Sequence, residues 1–176
     1  MFTSGAIIVA LIIVAAGFTA LFGAPYVPSK RKDIRQAFTA LYPLTARDTL
    51  VDLGSGDGTV LRVAREFGAT AVGYELHPVL TLISRMLARG DKKQIVQQAN
   101  YWRVQFPGQT TVVYAFSDGR DIQKTYQLVQ RQATHLGRAL VLITYGFAVP
   151  GVAAHATHRA YFLYTVQPCG EAAAHV

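Results

Sequence analysis

The chain has 176 residues, enough for one domain with a sizeable core, and hydrophobic residues make up 51% of it. Its formal net charge of +7 suits an anionic membrane surface or nucleic acid, and carries no information about the fold. The single cysteine, Cys169, excludes an internal disulfide and a cysteine-based zinc site.

The N-terminal region has the pattern of a membrane anchor. Residues 5–24 carry no charge, and a helix of that length spans roughly 30 Å, the thickness of the bilayer's hydrocarbon core. A cleaved signal peptide has basic residues before its apolar stretch, and residues 1–4 contain none. Basic residues instead follow the apolar stretch, at positions 30, 31, 32 and 35. The pattern predicts a transmembrane anchor over residues 1–24, crossing once, with the domain that follows on the cytoplasmic side. A signal sequence or a buried helix is the alternative.

Residues 25–47 form the connection to the first strand. Pro25 and Pro28 end the membrane helix and favour an extended backbone. Apolar residues then recur at the spacing of one helix face, which predicts a short helix; they are Ile34, Ala37, Phe38 and Leu41.

A glycine-rich loop follows the first predicted strand. Residues 49–58 read TLVDLGSGDG, in which Val51 and Leu53 can be the last buried residues of a strand. The three glycines allow the backbone to turn sharply and to approach a ligand closely. Residues 59–67 then have apolar positions at helical spacing. Strand, glycine turn and helix form the unit that binds nucleotide-like cofactors in doubly wound α/β folds.

The spacing within this loop narrows the choice of ligand. Gly58 follows Gly56 by two positions, whereas the dinucleotide fingerprint requires three, which argues against NAD. A P-loop is excluded because no GK[ST] follows. Glu75 ends the next predicted strand, residues 71–75, where a carboxylate can accept both hydroxyls of a ribose. The alternative for the glycine loop is a structural turn that binds no ligand. The alternative for Glu75 is an exposed acidic residue in a loop.

The alternation of strand and helix continues to the end of the chain. The pattern predicts helices over residues 78–89 and from residue 121, and strands over residues 94–98, 110–116, 139–145 and 161–166. The last strand is predicted to be antiparallel at the sheet edge. The chain is therefore predicted to be an α/β protein with a mostly parallel, doubly wound sheet over residues 48–168, followed by a disordered tail over 169–176.

The glycine loop and Glu75 together resemble the cofactor-binding motif of class I S-adenosylmethionine-dependent methyltransferases. In that class, an acidic residue and a GxGxG turn close the first strand, and a second acidic residue ends the second. The resemblance implies a Rossmann-like fold, S-adenosyl-L-methionine as cofactor, and methyl transfer without a metal. It also implies that the segment 25–47 covers the cofactor.

Motifs along nearly the whole chain look like one family within this class. They are the apolar N-terminus, PYVPS at 25–29, DLGSGDG at 52–58, YELHPVLTLISRMLAR at 74–89, NYW at 100–102 and FAVPG at 147–151. The family is a small membrane-anchored one whose mitochondrial members methylate lysines on the ATP synthase c subunit and the adenine nucleotide translocase. The resemblance implies a membrane-anchored N-methyltransferase that acts on lysine in a membrane-associated protein.

The resemblance also implies which residues bind the cofactor. The methionine end would lie against the glycine loop, with Asp52 or Asp57 facing its amino group, and Glu75 would hold the ribose. Asn100, with Tyr101 or Trp102 beside it, would meet the adenine, although the position of Asn100 is often acidic in the superfamily. Core packing is the alternative for Trp102. The loop positions are Asp52, Gly54, Ser55, Gly56 and Asp57.

The acceptor side is less defined by the sequence. No residue stands out as a base, although Tyr26, Tyr114 or Tyr145 can orient an acceptor amine. Residues 117–119 can border the acceptor or form a simple turn, and His77 can touch the ligand. A lipid or small-amine methyltransferase and a non-catalytic cofactor-binding membrane module stay open. RNA methylation would fit the charge of +7, but nucleic acid is not expected. The basic residues that flank the predicted anchor explain much of that charge, and no nucleic-acid-binding module is visible.

Overall fold

The structure is a computed structural model that describes residues 30–170. The predicted membrane helix over residues 1–24 lies outside these residues, as do positions 25–29 of the connection and 171–176 of the tail. Between residues 30 and 170, no helix is both long enough and apolar enough to cross a bilayer.

Strands and helices alternate along the described chain. The helices are α1 (Arg31–Ala40), α2 (Thr59–Glu66), α3 (Pro78–Leu87) and α4 (Ile122–Leu136), with one 3-10 turn at Tyr101–Arg103. The strands are β1 (Thr49–Leu53), β2 (Thr70–Glu75), β3 (Gln94–Gln98), β4 (Val112–Phe116), β5 (Leu140–Tyr145), β6 (Ala156–His158) and β7 (Tyr161–Val166).

In residues 30–170 these strands form one sheet, in the order β3-β2-β1-β4-β5-β7-β6. The first five are parallel to one another, and β7 runs antiparallel to both β5 and β6. This confirms the predicted α/β sheet, mostly parallel with an antiparallel edge. One detail of the prediction is wrong: the edge strand is β6, and β7 lies inside the sheet. Three residues, none of them buried, give β6 too little apolar pattern to be recognised.

The sheet separates two layers of apolar side chains. All five residues of β1 are buried, because β1 has strands on both sides and helices over both faces. On one face, side chains from α1 and α2 pack together with Leu50 and Tyr114. On the other face, α4 packs over Val51, Val113 and Leu142. This central position fixes the carboxyl end of β1, where the glycine loop begins.

The predicted helix before the first strand is confirmed as α1. Ile34, Ala37 and Phe38 are all 0% exposed, as the spacing predicts. The Phe38 ring packs edge-on against Tyr114, with ring centroids 6.2 Å apart. Arg35 donates to both oxygens of Glu66 at 2.5 and 2.9 Å, which joins α1 to α2.

Candidate active site

The predicted cofactor residues meet at the carboxyl edge of three neighbouring strands. Leu53 of β1 pairs with Tyr74 of β2, and Glu75 of β2 pairs with Gln98 of β3. The glycine loop, Glu75 and the turn that begins at Asn100 therefore leave the sheet side by side. Ligands of open α/β sheets bind at this edge.

The glycine loop is held against β2 by its own backbone. Gly54 and Ser55 donate their N–H groups to the carbonyl of Tyr74, at 2.9 and 3.0 Å. Gly54, Gly56 and Gly58 have φ angles of +79°, +55° and +81°. Other residues rarely adopt these angles, so the glycine spacing seen in the sequence is what the turn requires.

Glu75 is fixed in place by two backbone donors. Gly56 N–H donates to Oε2 at 2.8 Å, and His77 N–H donates to Oε1 at 2.7 Å. Glu75 is buried, with 9% of its surface exposed, so it is not an exposed loop acid. Each carboxylate oxygen has a second lone pair, so two hydroxyls of a ribose can still donate to it.

Asp52 is a buried acid with unused hydrogen-bonding capacity. It is 2% exposed, and its Oδ2 has no hydrogen-bond partner among the described residues. Burial raises the pKa of Asp52 well above its ordinary value, and the charges of Glu75 and Asp57 add to this rise. The hydroxyl of Ser55 is also buried and has no partner in residues 30–170. An orphaned carboxylate and hydroxyl beside a glycine turn fit a ligand with an ammonium group.

Asp57 is already engaged with its own helix. Its carboxylate accepts from the Thr59 N–H and hydroxyl, both at 3.0 Å, and pairs with Arg62 at 3.1 Å. Burial alone would raise the pKa of Asp57, but the hydrogen bonds from Thr59 and Arg62 outweigh it and lower the pKa. Of the two acids, Asp52 is therefore the better placed to meet an amino group.

Asn100 begins the turn that follows β3. Its Oδ1 accepts from the Trp102 N–H at 3.0 Å, which caps the 3-10 turn, and its amide nitrogen makes no hydrogen bond within residues 30–170. The Tyr101 and Trp102 rings are 4.7 Å apart, and both pack against the apolar layer that α4 covers. Burial raises the pKa of Tyr101 to about 12, with added effects from Asp121, Asp118 and Glu75.

Two candidates from the sequence have structural roles here. The Nδ1 of His77 accepts from the Val79 N–H at 3.2 Å and caps α3. Asp118 accepts from the N–H groups of Arg120 and Asp121, at 2.9 and 3.1 Å, just before α4 begins. These contacts account for the loop acid as a helix-initiating turn. In the described part of the chain, no cluster of His, Cys, Asp and Glu is arranged to hold a metal ion.

A group of aromatic side chains lies at the carboxyl ends of β4 and β5, on the same edge of the sheet as the glycine loop. We call Phe116, Tyr145 and Phe147 the aromatic corner; its phenylalanines are 39% and 46% exposed. The Phe116 and Tyr145 rings are 5.1 Å apart. Sequence reasoning found only Tyr145, although large apolar residues at two neighbouring strand ends were a usable signal. Tyr114 lies beneath, 1% exposed, and Tyr26 is outside the described residues.

The sequence is similar to those of several curated enzymes. Over 94 residues it is 38% identical to the ATP synthase c-subunit lysine N-methyltransferase of Homo sapiens, covering 51% of this chain and 39% of that protein. The corresponding protein of Xenopus laevis is 39% identical over 88 residues, covering 48% and 38%. The chain therefore spans about two fifths of the length of these relatives. No protein-family model matches the chain.

Solved structures share the fold. An RNA methyltransferase from Salinibacter ruber, in complex with S-adenosyl-L-homocysteine, superposes with a TM-score of 0.72 at 23% identity, covering 80% of this chain and 94% of that one. A geranyl diphosphate methyltransferase in complex with S-adenosylmethionine gives 0.54 at 20% identity, covering 65% and 48%. The chain thus has the Rossmann-like fold of S-adenosylmethionine-dependent methyltransferases, and it is related in sequence to the curated lysine N-methyltransferases of the ATP synthase c subunit.

Proposed function

We propose that the chain is a membrane-anchored, S-adenosylmethionine-dependent N-methyltransferase that methylates lysine in a membrane-associated protein. The observation that carries this proposal is the buried Asp52 carboxylate, whose Oδ2 has no hydrogen-bond partner within residues 30–170, beside a glycine turn that Glu75 holds in place. Similarity to curated lysine N-methyltransferases supports the choice of acceptor.

The residues at the carboxyl edge fit the cofactor along its length. Asp52 would meet the ammonium group, and the backbone of Gly54 to Gly56 would lie against the methionine end. Glu75 would accept the ribose hydroxyls, and Asn100 would meet the edge of the adenine. When bound, the cofactor supplies an activated methyl group on a sulfonium. The protein's own contribution is therefore orientation and the exclusion of water.

The aromatic corner would hold the acceptor. The methylene chain of a lysine can lie against the exposed rings of Phe116 and Phe147, which remove it from water. A lysine amine must be neutral to attack, and neutralising it at pH 7 costs about 4.6 kcal/mol. An apolar site lowers this cost because it disfavours the charged form.

The membrane would be reached through the uncharged residues 5–24, with the catalytic domain on the cytoplasmic side. The support for this arrangement is in the sequence: twenty uncharged positions are followed by the basic residues Lys30, Arg31, Lys32 and Arg35. Such residues are each worth about 1 kcal/mol next to anionic headgroups. A membrane location also places the enzyme beside membrane-associated acceptors.

The test is methyl transfer to native membranes. Full-length protein and tritiated S-adenosylmethionine are incubated with membranes, which are then separated into protein and organic-extractable fractions. We expect label in protein, on lysine by mass spectrometry. Label in the organic fraction alone would indicate a lipid acceptor, and cofactor binding without any transfer would indicate a non-catalytic module; either result contradicts the proposal.

The assignment of Asp52 has a matched control in the same loop. Asp52→Asn should weaken cofactor binding about tenfold to a hundredfold, because a hydrogen bond to a charged group is worth about 1.5–3 kcal/mol. Asp57→Asn should have the smaller effect, since Thr59 and Arg62 already hold that carboxylate. Calorimetry with both variants measures the difference. Equal losses of cofactor affinity in the two variants would contradict the proposal that Asp52, and not Asp57, binds the ammonium group.

A further inference from the structure

Helix α3 has its apolar side facing outward. The side chains that it buries against the sheet are small and polar, namely Thr81 at 1% and Ser84 at 0% exposure. The apolar residues lie on the opposite side and are 39–67% exposed. We call this surface the α3 outer face; it consists of Val79, Leu82, Ile83, Met86 and Leu87.

Spacing places these residues in one stripe. Positions 79, 82, 83, 86 and 87 recur at i, i+3, i+4, i+7 and i+8, which is one side of a helix. In a water-soluble helix this stripe normally faces the core. Contiguous exposed apolar patches rimmed by polar residues mark sites of protein or membrane contact. We therefore expect the α3 outer face to contact another protein or a membrane.

The rim of the face is basic. Arg89, Lys92 and Lys93 follow the helix, are exposed, and make no ion pair with any described residue. The acid beside them, Asp91, is paired with Arg65 at 2.7 Å. An apolar helix side with basic residues next to it is the pattern of helices that lie in the plane of an anionic membrane surface.

A second copy of the chain offers little to this basic rim. Within residues 30–170, the exposed and half-exposed acids face basic partners: Asp33, Asp57, Glu66, Asp91, Asp118 and Asp121. The net charge of +7 also opposes self-association through a basic surface. Anionic headgroups supply the missing negative charge.

We propose that the α3 outer face docks on the surface of an anionic lipid bilayer, with Leu82 and Met86 among the acyl chains and Lys92 and Lys93 among the headgroups. This contact is separate from residues 5–24. A docked α3 would hold the domain in one orientation. Because α3 begins three residues after Glu75, docking would also fix the orientation of the candidate active site. The candidate active site would then lie at a fixed height above the bilayer.

The test uses a fluorescent label in full-length protein, with Cys169→Ser as background. Met86→Cys places the label on the α3 outer face, and the substitution leaves the core intact because Met86 is 67% exposed. Gln127→Cys is the matched control, on the exposed side of α4 across the sheet. The protein is reconstituted in vesicles of phosphatidylcholine, with or without phosphatidylglycerol, that contain brominated lipids as quenchers.

We expect the brominated lipids to quench the label at position 86 and not at 127, with stronger quenching when phosphatidylglycerol is present. Lys92→Gln and Lys93→Gln should each weaken the docked state about fivefold, which corresponds to about 1 kcal/mol per basic residue. Equal quenching at 86 and 127 would overturn the proposal. So would rapid disulfide formation between two copies of the unlabelled Met86→Cys protein without lipid, which would indicate a dimer face. None of these readings requires methyltransferase activity.

Discussion

At the scale of single residues, two buried aspartates near β1 have pKa values that move in opposite directions. Asp48 is 8% exposed and accepts hydrogen bonds from Tyr42, Thr45 and Thr111. Burial alone would raise its pKa, but these hydrogen bonds outweigh burial and lower it. Among the described residues Asp52 has no such donor at Oδ2, and burial raises its pKa. Asp48 thus stabilises the fold in its charged form, whereas Asp52 opposes it.

The two signs predict opposite pH effects on stability. A lowered pKa gives stability that is present above the ordinary carboxyl pKa and is lost as pH falls through the folded value. A raised pKa gives stability that is present below the ordinary value and is lost as pH rises through the folded one. Asp48→Asn should therefore destabilise the protein at neutral pH, by about 1–3 kcal/mol. Asp52→Asn should stabilise the ligand-free protein there, by on the order of 1 kcal/mol.

Denaturant unfolding at several pH values checks both variants without cofactor. The free-energy difference between Asp52→Asn and the unchanged protein should shrink as pH falls below the raised pKa, because the aspartate is then neutral as well. A loss of stability for Asp52→Asn at neutral pH would contradict the picture of an acid kept for binding at the expense of the fold.

At this scale the sequence predicted the glycine turn between β1 and α2, and the limit of that prediction was physical. The spacing of the glycines identified the loop, because its positive φ angles require glycine. The position of Glu75 added to this, because it places a carboxylate at the end of the neighbouring strand. The sequence left Asp52 and Asp57 as alternatives. Their difference depends on whether Thr59 and Arg62 turn back toward the loop, and a side-chain contact of that kind has no signature in residue spacing.

At the scale of elements, the turn into α2 is packed against α3. Gly58 has a φ of +81°, and a Cβ there would lie 2.2 Å from the Ser84 hydroxyl and 3.3 Å from its Cβ. This close approach joins the glycine loop to the buried side of α3. It also explains why α3 presents a small residue rather than an apolar one at that point.

Gly58→Ala is predicted to be more damaging than Gly90→Ala. Both glycines have positive φ angles, +81° and +90°, so each alanine variant carries the same backbone cost of about 1–2 kcal/mol. Of these two glycines, only Gly58 has a described residue within 4 Å of the added methyl, and overpacking adds about 1 kcal/mol or more. Thermal unfolding measures the difference, and adding Ser84→Ala to Gly58→Ala should recover part of it. Equal effects of the two alanines would mean that α3 shifts freely away from the loop.

The helices also show where element-level prediction stops. The apolar spacing of residues 78–89 predicted a helix, and α3 is present at Pro78–Leu87. Which of its sides is buried could not be read from the same pattern, since Thr81 and Ser84 face the sheet. The strand β6 was missed because a three-residue strand with no buried residue owes its existence to pairing with β7.

At the scale of the whole molecule, cofactor and acceptor would occupy different strand ends of one sheet edge. The glycine loop, Glu75 and Asn100 lie at the carboxyl ends of β1, β2 and β3, while the aromatic corner lies at the carboxyl ends of β4 and β5. Changes at one group should therefore affect one ligand. This separation gives a test of the acceptor side alone.

Phe147→Ala is expected to raise the KM for a protein acceptor about fivefold, the equivalent of roughly 1 kcal/mol of lost aromatic contact, and to leave cofactor affinity unchanged. Ile95→Ala is the control, because Ile95 has similar exposure, 41% against 46%, and lies on β3. Initial-rate kinetics and calorimetry give the two quantities. Unchanged kinetics in Phe147→Ala would remove the aromatic corner from the acceptor site.

The central position of β1 also determines when its two edges can pair during translation. β1 precedes the other described strands in the chain, yet its sheet neighbours are β2 and β4, and β4 ends only at Phe116. During translation, one edge of a strand that is fully buried in the folded protein therefore stays unpaired for some sixty further residues, the sequence distance from Leu53 to Val112. Unpaired apolar edges recruit other chains. A nascent chain from which β4 has not yet emerged is consequently a candidate for chaperone binding or aggregation, and the emergence of β4 allows this edge of β1 to pair.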